Sequence, residues 1–126
     1  MKHVLVQGAV VECNHHGKLR IDLADPRVTV NGKGVLLGGM EAGLAFGSPT
    51  TPVPGMLVPC TAKTATTPPT FVPCVTGPAT PDGLALKLSV GGRPVLMETA
   101  SGTTVNAEGV GRWTVADAGQ TLLEAL

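Results

Sequence analysis

An all-β domain, assembled from hairpins in pseudo-repeated units, is what this chain of 126 residues should form. Three observations point there. The decapeptide Val28-Thr-Val-Asn-Gly-Lys-Gly-Val-Leu-Leu37 returns as Leu88-Ser-Val-Gly-Gly-Arg-Pro-Val-Leu-Met97 with four identities. Each copy is an alternating apolar run, a two-residue turn and a second apolar run, and Asn31-Gly32 and Gly91-Gly92 suit the positive φ angles of a tight hairpin. Large rings are scarce, with two Phe, one Trp and no Tyr, so small aliphatic side chains must fill a thin interior. Seventeen Gly and eleven Pro punctuate the chain, while a hydrophobic content of 43% is too high for a disordered one.

The elements follow in order. Val4-Leu5-Val6 and Ala9-Val10-Val11 are short strand candidates separated by Gln7-Gly8, and Leu19 and Ile21 alternate with Arg20 and Asp22 as a half-buried strand does. Asp25-Pro26 marks a turn before the first repeat copy. Gly38, Gly39, Gly43 and Gly47 interrupt regular structure after it. Nine of the eleven prolines fall between Gly47 and Asp82, which excludes helix from most of that stretch and disfavours central strands. Such a composition also fits a linker, but Val58-Pro59-Cys60 and Val72-Pro73-Cys74 repeat one tripeptide fourteen residues apart, beside the apolar anchors Met56, Leu57 and Phe71. Thr103-Thr104-Val105 and Arg112-Trp113-Thr114-Val115 read as closing strands. From Ala116 to Leu126 the spacing of Leu122, Leu123 and Leu126 is helical, with Asp117 as a cap, and a frayed tail is the alternative. Residues 1–126 make one domain on this reading, with repeat units near 8–40 and 70–105 and a proline-rich middle over 47–83.

Nine Lys and Arg balance nine Asp and Glu, so no global charge draws the chain to nucleic acid or an anionic membrane. Charged residues make up only 14%, which favours a surface that is buried against a partner or unusually apolar. No apolar stretch is long enough for a stable membrane anchor, and Met1-Lys2-His3 leads into a strand candidate, not a secretion signal, so synthesis is expected to end in the cytoplasm.

Cysteine and histidine are the polar groups that stand out. Cys13-Asn14-His15-His16-Gly17 places a thiol and two imidazoles within four residues, and Cys60 and Cys74 occupy the proline-rich middle. Three Cys and one His would close a tetrahedral zinc site with no position left for water, which makes it structural. A Cys60–Cys74 disulfide and free buried thiols are the other readings. The histidine is open too: in an extended chain Cys13 and His15 share a face, whereas a turn at Gly17 swings His16 in. His3 reads as a surface residue. Glu41, Glu98, Glu108, Asp82 and Asp117 are scattered, Ser48, Ser89 and Ser101 lack the context of a nucleophile, and nothing in the sequence orients a base beside Cys13.

In this order the motifs resemble the PAAR-like spike-tip proteins of contractile injection systems, including type VI secretion systems and phage-tail-like particles. Gly8-Ala-Val-Val-Glu-Cys13 is similar to the family's opening motif, Val30-Asn-Gly-Lys-Gly-Val35 and Val90-Gly-Gly-Arg-Pro-Val95 resemble its repeated Val-Asn-Gly-Lys-Pro-Ala stretches, and His16-Gly17 is similar to its metal-binding His-Gly. Gly55-Met-Leu-Val-Pro-Cys60 and Val72-Pro-Cys74 resemble the middle of its cysteine-rich branch. The chain departs where that branch has a further cysteine, with Glu98-Thr-Ala-Ser-Gly102 in its place, so a four-coordinate metal needs a histidine.

The resemblance, which covers residues 4 to 105, implies a conical β-hairpin tip whose base sits, one copy per spike, on the blunt end of a trimeric spike. It implies a structural zinc near the point, held by Cys13, His16, Cys60 and Cys74 with His15 as the alternative ligand. The expected role is a non-enzymatic cap that sharpens the spike and travels with it out of the cell through the target envelope. No toxin domain is recognisable at either end, so a bare tip is expected. Two further functions stand beside it: an effector-loading adaptor at the spike tip, and a small metal- or thiol-dependent enzyme.

Overall fold

The computed structural model describes residues 2–65, 68–106 and 109–125. Glu108 and Leu126, singled out above, lie outside them. Twelve strands run in the order β1 (Lys2–His3), β2 (Val10–Cys13), β3 (Lys18–Arg20), β4 (Asp25–Val30), β5 (Lys33–Val35), β6 (Met56–Val58), β7 (Val75–Ala79), β8 (Leu84–Val90), β9 (Arg93–Leu96), β10 (Ser101–Asn106), β11 (Gly109–Asp117) and β12 (Glu124–Ala125). One 3-10 turn, Pro81–Gly83, precedes β8. The all-β expectation holds. Among the described residues no helix is long and apolar enough to cross a membrane.

The duplicated decapeptide forms the hairpins β4–β5 and β8–β9, with Val30 opposite Lys33 and Val90 opposite Arg93. Both residues of each turn have positive φ: 53° and 79° at Asn31-Gly32, 60° and 83° at Gly91-Gly92. That is the backbone whose twist matches the flanking strands. A third arm of the same design comes from opposite ends of the sequence, since β1 pairs with β12 with Lys2 opposite Ala125. Val4, Val35 and Val95 thus occupy equivalent places, as do Leu5, Leu36 and Leu96.

The three arms close on one another through rings of backbone hydrogen bonds. Leu5 N–H donates to Leu96 C=O, Leu96 N–H to Leu36 C=O and Leu36 N–H to Leu5 C=O, each at 2.9 Å. A second ring runs Gln7 to Gly34, Gly38 to Pro94 and Glu98 to His3, each at 2.8 Å. Equivalent turns leave the triangle, closed by Ala9 N–H to Val6 C=O, Met40 to Leu37 and Ala100 to Met97. Pseudo-threefold closure satisfies the backbone polar groups of all three segments where they are fully buried. Side chains alternate across the segments as strand geometry requires. Leu5, Leu36 and Leu96 join the core beneath the large sheet, while Val4, Val6, Val35, Leu37, Val95 and Met97 form a second core among the arms.

The large sheet has six antiparallel strands in the order β6-β3-β2-β11-β10-β7. Its two edges, β6 and β7, come from the proline-rich middle, and Pro78 sits within β7, on the edge where a missing N–H is tolerated. The middle is therefore pinned and is no linker: Cys60 N–H bonds Gly47 C=O, Phe46 N–H bonds Cys74 C=O, and Val72 N–H bonds Ala62 C=O. Trp113 is fully buried, donates Nε1 to Gly77 C=O at 3.0 Å, and pairs with Gly102 on one side and Cys13 on the other. A Cβ on Gly102 would lie 2.5 Å from Trp113 Nε1, so the ring depends on that glycine.

Two local expectations need correction. Asp25 and Pro26 begin β4 and make no separate turn; Arg27 folds back onto the Asp25 carboxylate at 2.6 Å, and a bulge follows before Thr29. The segment after Ala116 is not helical. Gly119 turns the chain with φ 87° while Asp117 Oδ1 accepts its N–H at 2.8 Å. Gln120 then takes the Leu122 and Leu123 N–H groups on Oε1 and gives Nε2 to Val4 C=O. A side chain thus supplies the bonds that a helix would have made internally, and β12 is delivered to β1.

Candidate metal centre

Three segments deliver four side chains to one point. β2 ends at Cys13, the loop after it carries His15, Cys60 follows β6, and Cys74 precedes β7. The ligand atoms of Cys13, His15, Cys60 and Cys74 all lie within 4.8 Å of one another. Cys13 Sγ is 3.6 Å from Cys60 Sγ, Cys60 Sγ is 3.7 Å from Cys74 Sγ, and His15 Nδ1 is 3.3 Å from Cys74 Sγ. A tetrahedral zinc with bonds of about 2.3 Å to sulfur and about 2.0 Å to nitrogen separates its ligands by about 3.8 Å along a sulfur–sulfur edge and about 3.5 Å along a sulfur–nitrogen edge. These three edges fit that figure to within a few tenths of an ångström, and the other three are no longer than 4.8 Å. All three cysteines are free, and their spacing is far beyond the roughly 2.05 Å of a disulfide.

The histidine that joins them is His15, the alternative ligand of the sequence reading. His16, the first choice, is exposed and outside the group. Its φ of 66° and its N–H to Cys13 C=O at 3.0 Å show why: the chain turns at His16 itself, one residue before Gly17, and sends its ring to solvent while His15 stays on the inside of the turn. Gly17 does a different job. A Cβ there would lie 2.9 Å from Cys60 Cα and 3.1 Å from Cys13 Sγ, so only glycine lets the Cys60 backbone come this close. Sequence reasoning gave Gly17 to the turn and missed that contact. His3 lies at the other end of the molecule, between Glu98 and Glu124.

The sulfurs are enclosed, and polar groups approach two of them. Cys13, Cys60 and Cys74 are no more than 2% exposed. Burial pushes the Cys13 thiol up, opposed by the His15 and Gly17 N–H groups that point at its sulfur. Burial drives Cys74 up to about 12, with the Thr104 hydroxyl offsetting part of it and the Cys60 and Cys13 sulfurs adding to it. Thr104 Oγ1 is buried with no hydrogen-bond partner of good geometry, beside a sulfur that would become a strong acceptor once ionised. Asn106 Nδ2 approaches the same sulfur at 3.7 Å. Such outer donors orient and stabilise metal-bound thiolates. Neither residue was singled out from the sequence, because each becomes relevant only when β10 is laid against the start of β7.

No protein-family model, no curated protein and no solved structure matches this chain.

Proposed function

We propose that this protein is a non-enzymatic structural tip that caps the blunt end of a trimeric spike in a contractile injection system, braced by one structural zinc. The observation that carries the reading is the pseudo-threefold closure of a single chain. A monomer seated on a homotrimer must offer three equivalent faces to three identical subunits. Three arms closed by rings of equal hydrogen bonds are what that task requires. Among the described residues each arm is a two-stranded sheet whose outer strand, β4, β8 or β12, is paired on one side only. Three free strand edges around one axis invite a partner with the same symmetry.

The metal group supports the same role from the far end. β2 leaves the triangle beside Ala9 and reaches the cysteines at Cys13, about 13 Å further on by strand geometry. Zinc bound there would tie the β2–β3 loop to the segments that follow β6 and precede β7 in the proline-rich middle. Burial of all three sulfurs favours this brace over thiol catalysis, which needs an accessible sulfur. Cryo-electron microscopy of the chain bound to its trimeric spike tests the proposal. One copy on the threefold axis, arms toward the spike and cysteines away from it, is expected. Lateral binding, or three copies, would overturn it.

A further inference from the structure

Lys2, Lys33 and Arg93 sit at the same place in the three arms, three residues before Leu5, Leu36 and Leu96. All three are exposed. Lys33 Nζ lies against the turn at Gly8, and the Arg93 guanidinium lies against the equivalent turn at Gly39 and bonds Gly38 C=O. The duplicated decapeptides keep a cation here through Lys33 and Arg93, and the third arm, which shares almost no sequence with them, keeps one as well.

The acids of the arms are already engaged. Asp25 is held by Arg27 at 2.6 Å, and the His3 ring bridges Glu98 at 3.2 Å and Glu124 at 3.4 Å. None of Lys2, Lys33 and Arg93 forms a direct ion pair among the described residues. The arms carry the cations Lys2, Arg27, Lys33, Lys87 and Arg93. Val28, Leu88 and Leu123, equivalent again and half-buried, edge the core among the arms.

We infer that this face docks a threefold-symmetric acidic surface, in which each of three identical chains sets one carboxylate against Lys2, Lys33 or Arg93 around an apolar centre lined by Val28, Leu88 and Leu123. The inference rests on the capping reading and adds the chemistry of the partner. Charges at a rim set the association rate and orientation more than the final affinity, and their effect is screened by salt. Threefold equivalence makes a further demand, that the three cations contribute alike.

The test is binding of the trimeric spike to the wild-type chain and to Lys2→Glu, Lys33→Glu and Arg93→Glu, at low and high ionic strength, with thermal melts as the folding control. Each reversal should weaken low-salt binding about fivefold, the three nearly equally, and the differences should shrink in high salt. Because Arg93 also bonds Gly38 C=O, Arg93→Lys should retain binding while Arg93→Gln should not. Wild-type binding that ignores salt and all three reversals would overturn the acidic-partner inference and leave the capping reading intact, as would loss confined to one position. Absence of wild-type binding would remove the capping reading and the inference with it.

Discussion

Glu41 joins the triangle to the sheet. It is 3% exposed, and its carboxylate accepts the Gly39 N–H at 2.7 Å and the Ala79 N–H at 2.8 Å, from the turn after the β4–β5 arm and from β7. Removing it would take the charged acceptor from two part-buried N–H groups, so Glu41→Ala should cost about 1–3 kcal/mol in urea unfolding with an unchanged m value. At the metal centre the residues separate cleanly. His15→Ala should lower zinc affinity by at least tenfold, His16→Ala should leave it unchanged, and Gly17→Ala should reduce it by displacing Cys60; competition with a chromogenic chelator reads all three. Asp25 gives a pH test. Arg27 holds its carboxyl down to about 2 through the side-chain and backbone hydrogen bonds, so the contact stabilises the fold above the ordinary carboxylate range and is lost as pH falls through that value. Carbon-detected NMR should place the Asp25 midpoint near 2, and in Arg27→Met it should return toward the ordinary value of about 3.9. The cysteines were legible as residues because three thiols in a chain this short need a reason. The choice between two adjacent histidines was not, because it depends on which residue takes the left-handed turn.

At the level of elements, equivalence itself can be tested. Leu5, Leu36 and Leu96 are each fully buried in one core, so each Leu→Ala should cost about 2–5 kcal/mol, and the three values should lie close together. The hairpins β4–β5 and β8–β9 were legible because two turn residues with positive φ, flanked by alternating apolar runs, leave few other structures open. The third arm was hidden by its division between β1 and β12, 120 residues apart in the sequence. Its trace is the dipeptide Val4-Leu5, repeated at Val35-Leu36 and Val95-Leu96, too short to notice before the register is known. β6 and β7 were obscured by neighbouring prolines, which restrict a strand to a sheet edge without forbidding it. The apparent helix after Ala116 came from leucines whose spacing also suits a turn and a short strand; Gly119 and the Gln120 side chain decide between them.

Across the whole molecule, β2 runs from the triangle beside Ala9 to the thiols at Cys13. Metal removal should therefore loosen the molecule unevenly. Hydrogen exchange after chelation should rise around Cys60 and Cys74 and stay slow at Leu5, Leu36 and Leu96, whose amides close the ring. The central claim is a metal-braced monomer on a trimeric spike, and native mass spectrometry of the reconstituted complex tests both halves at once. One copy of this chain per three spike subunits is expected, with a single zinc that disappears in Cys60→Ser/Cys74→Ser. A complex with three copies per spike, or a wild-type cap carrying no metal, would contradict it.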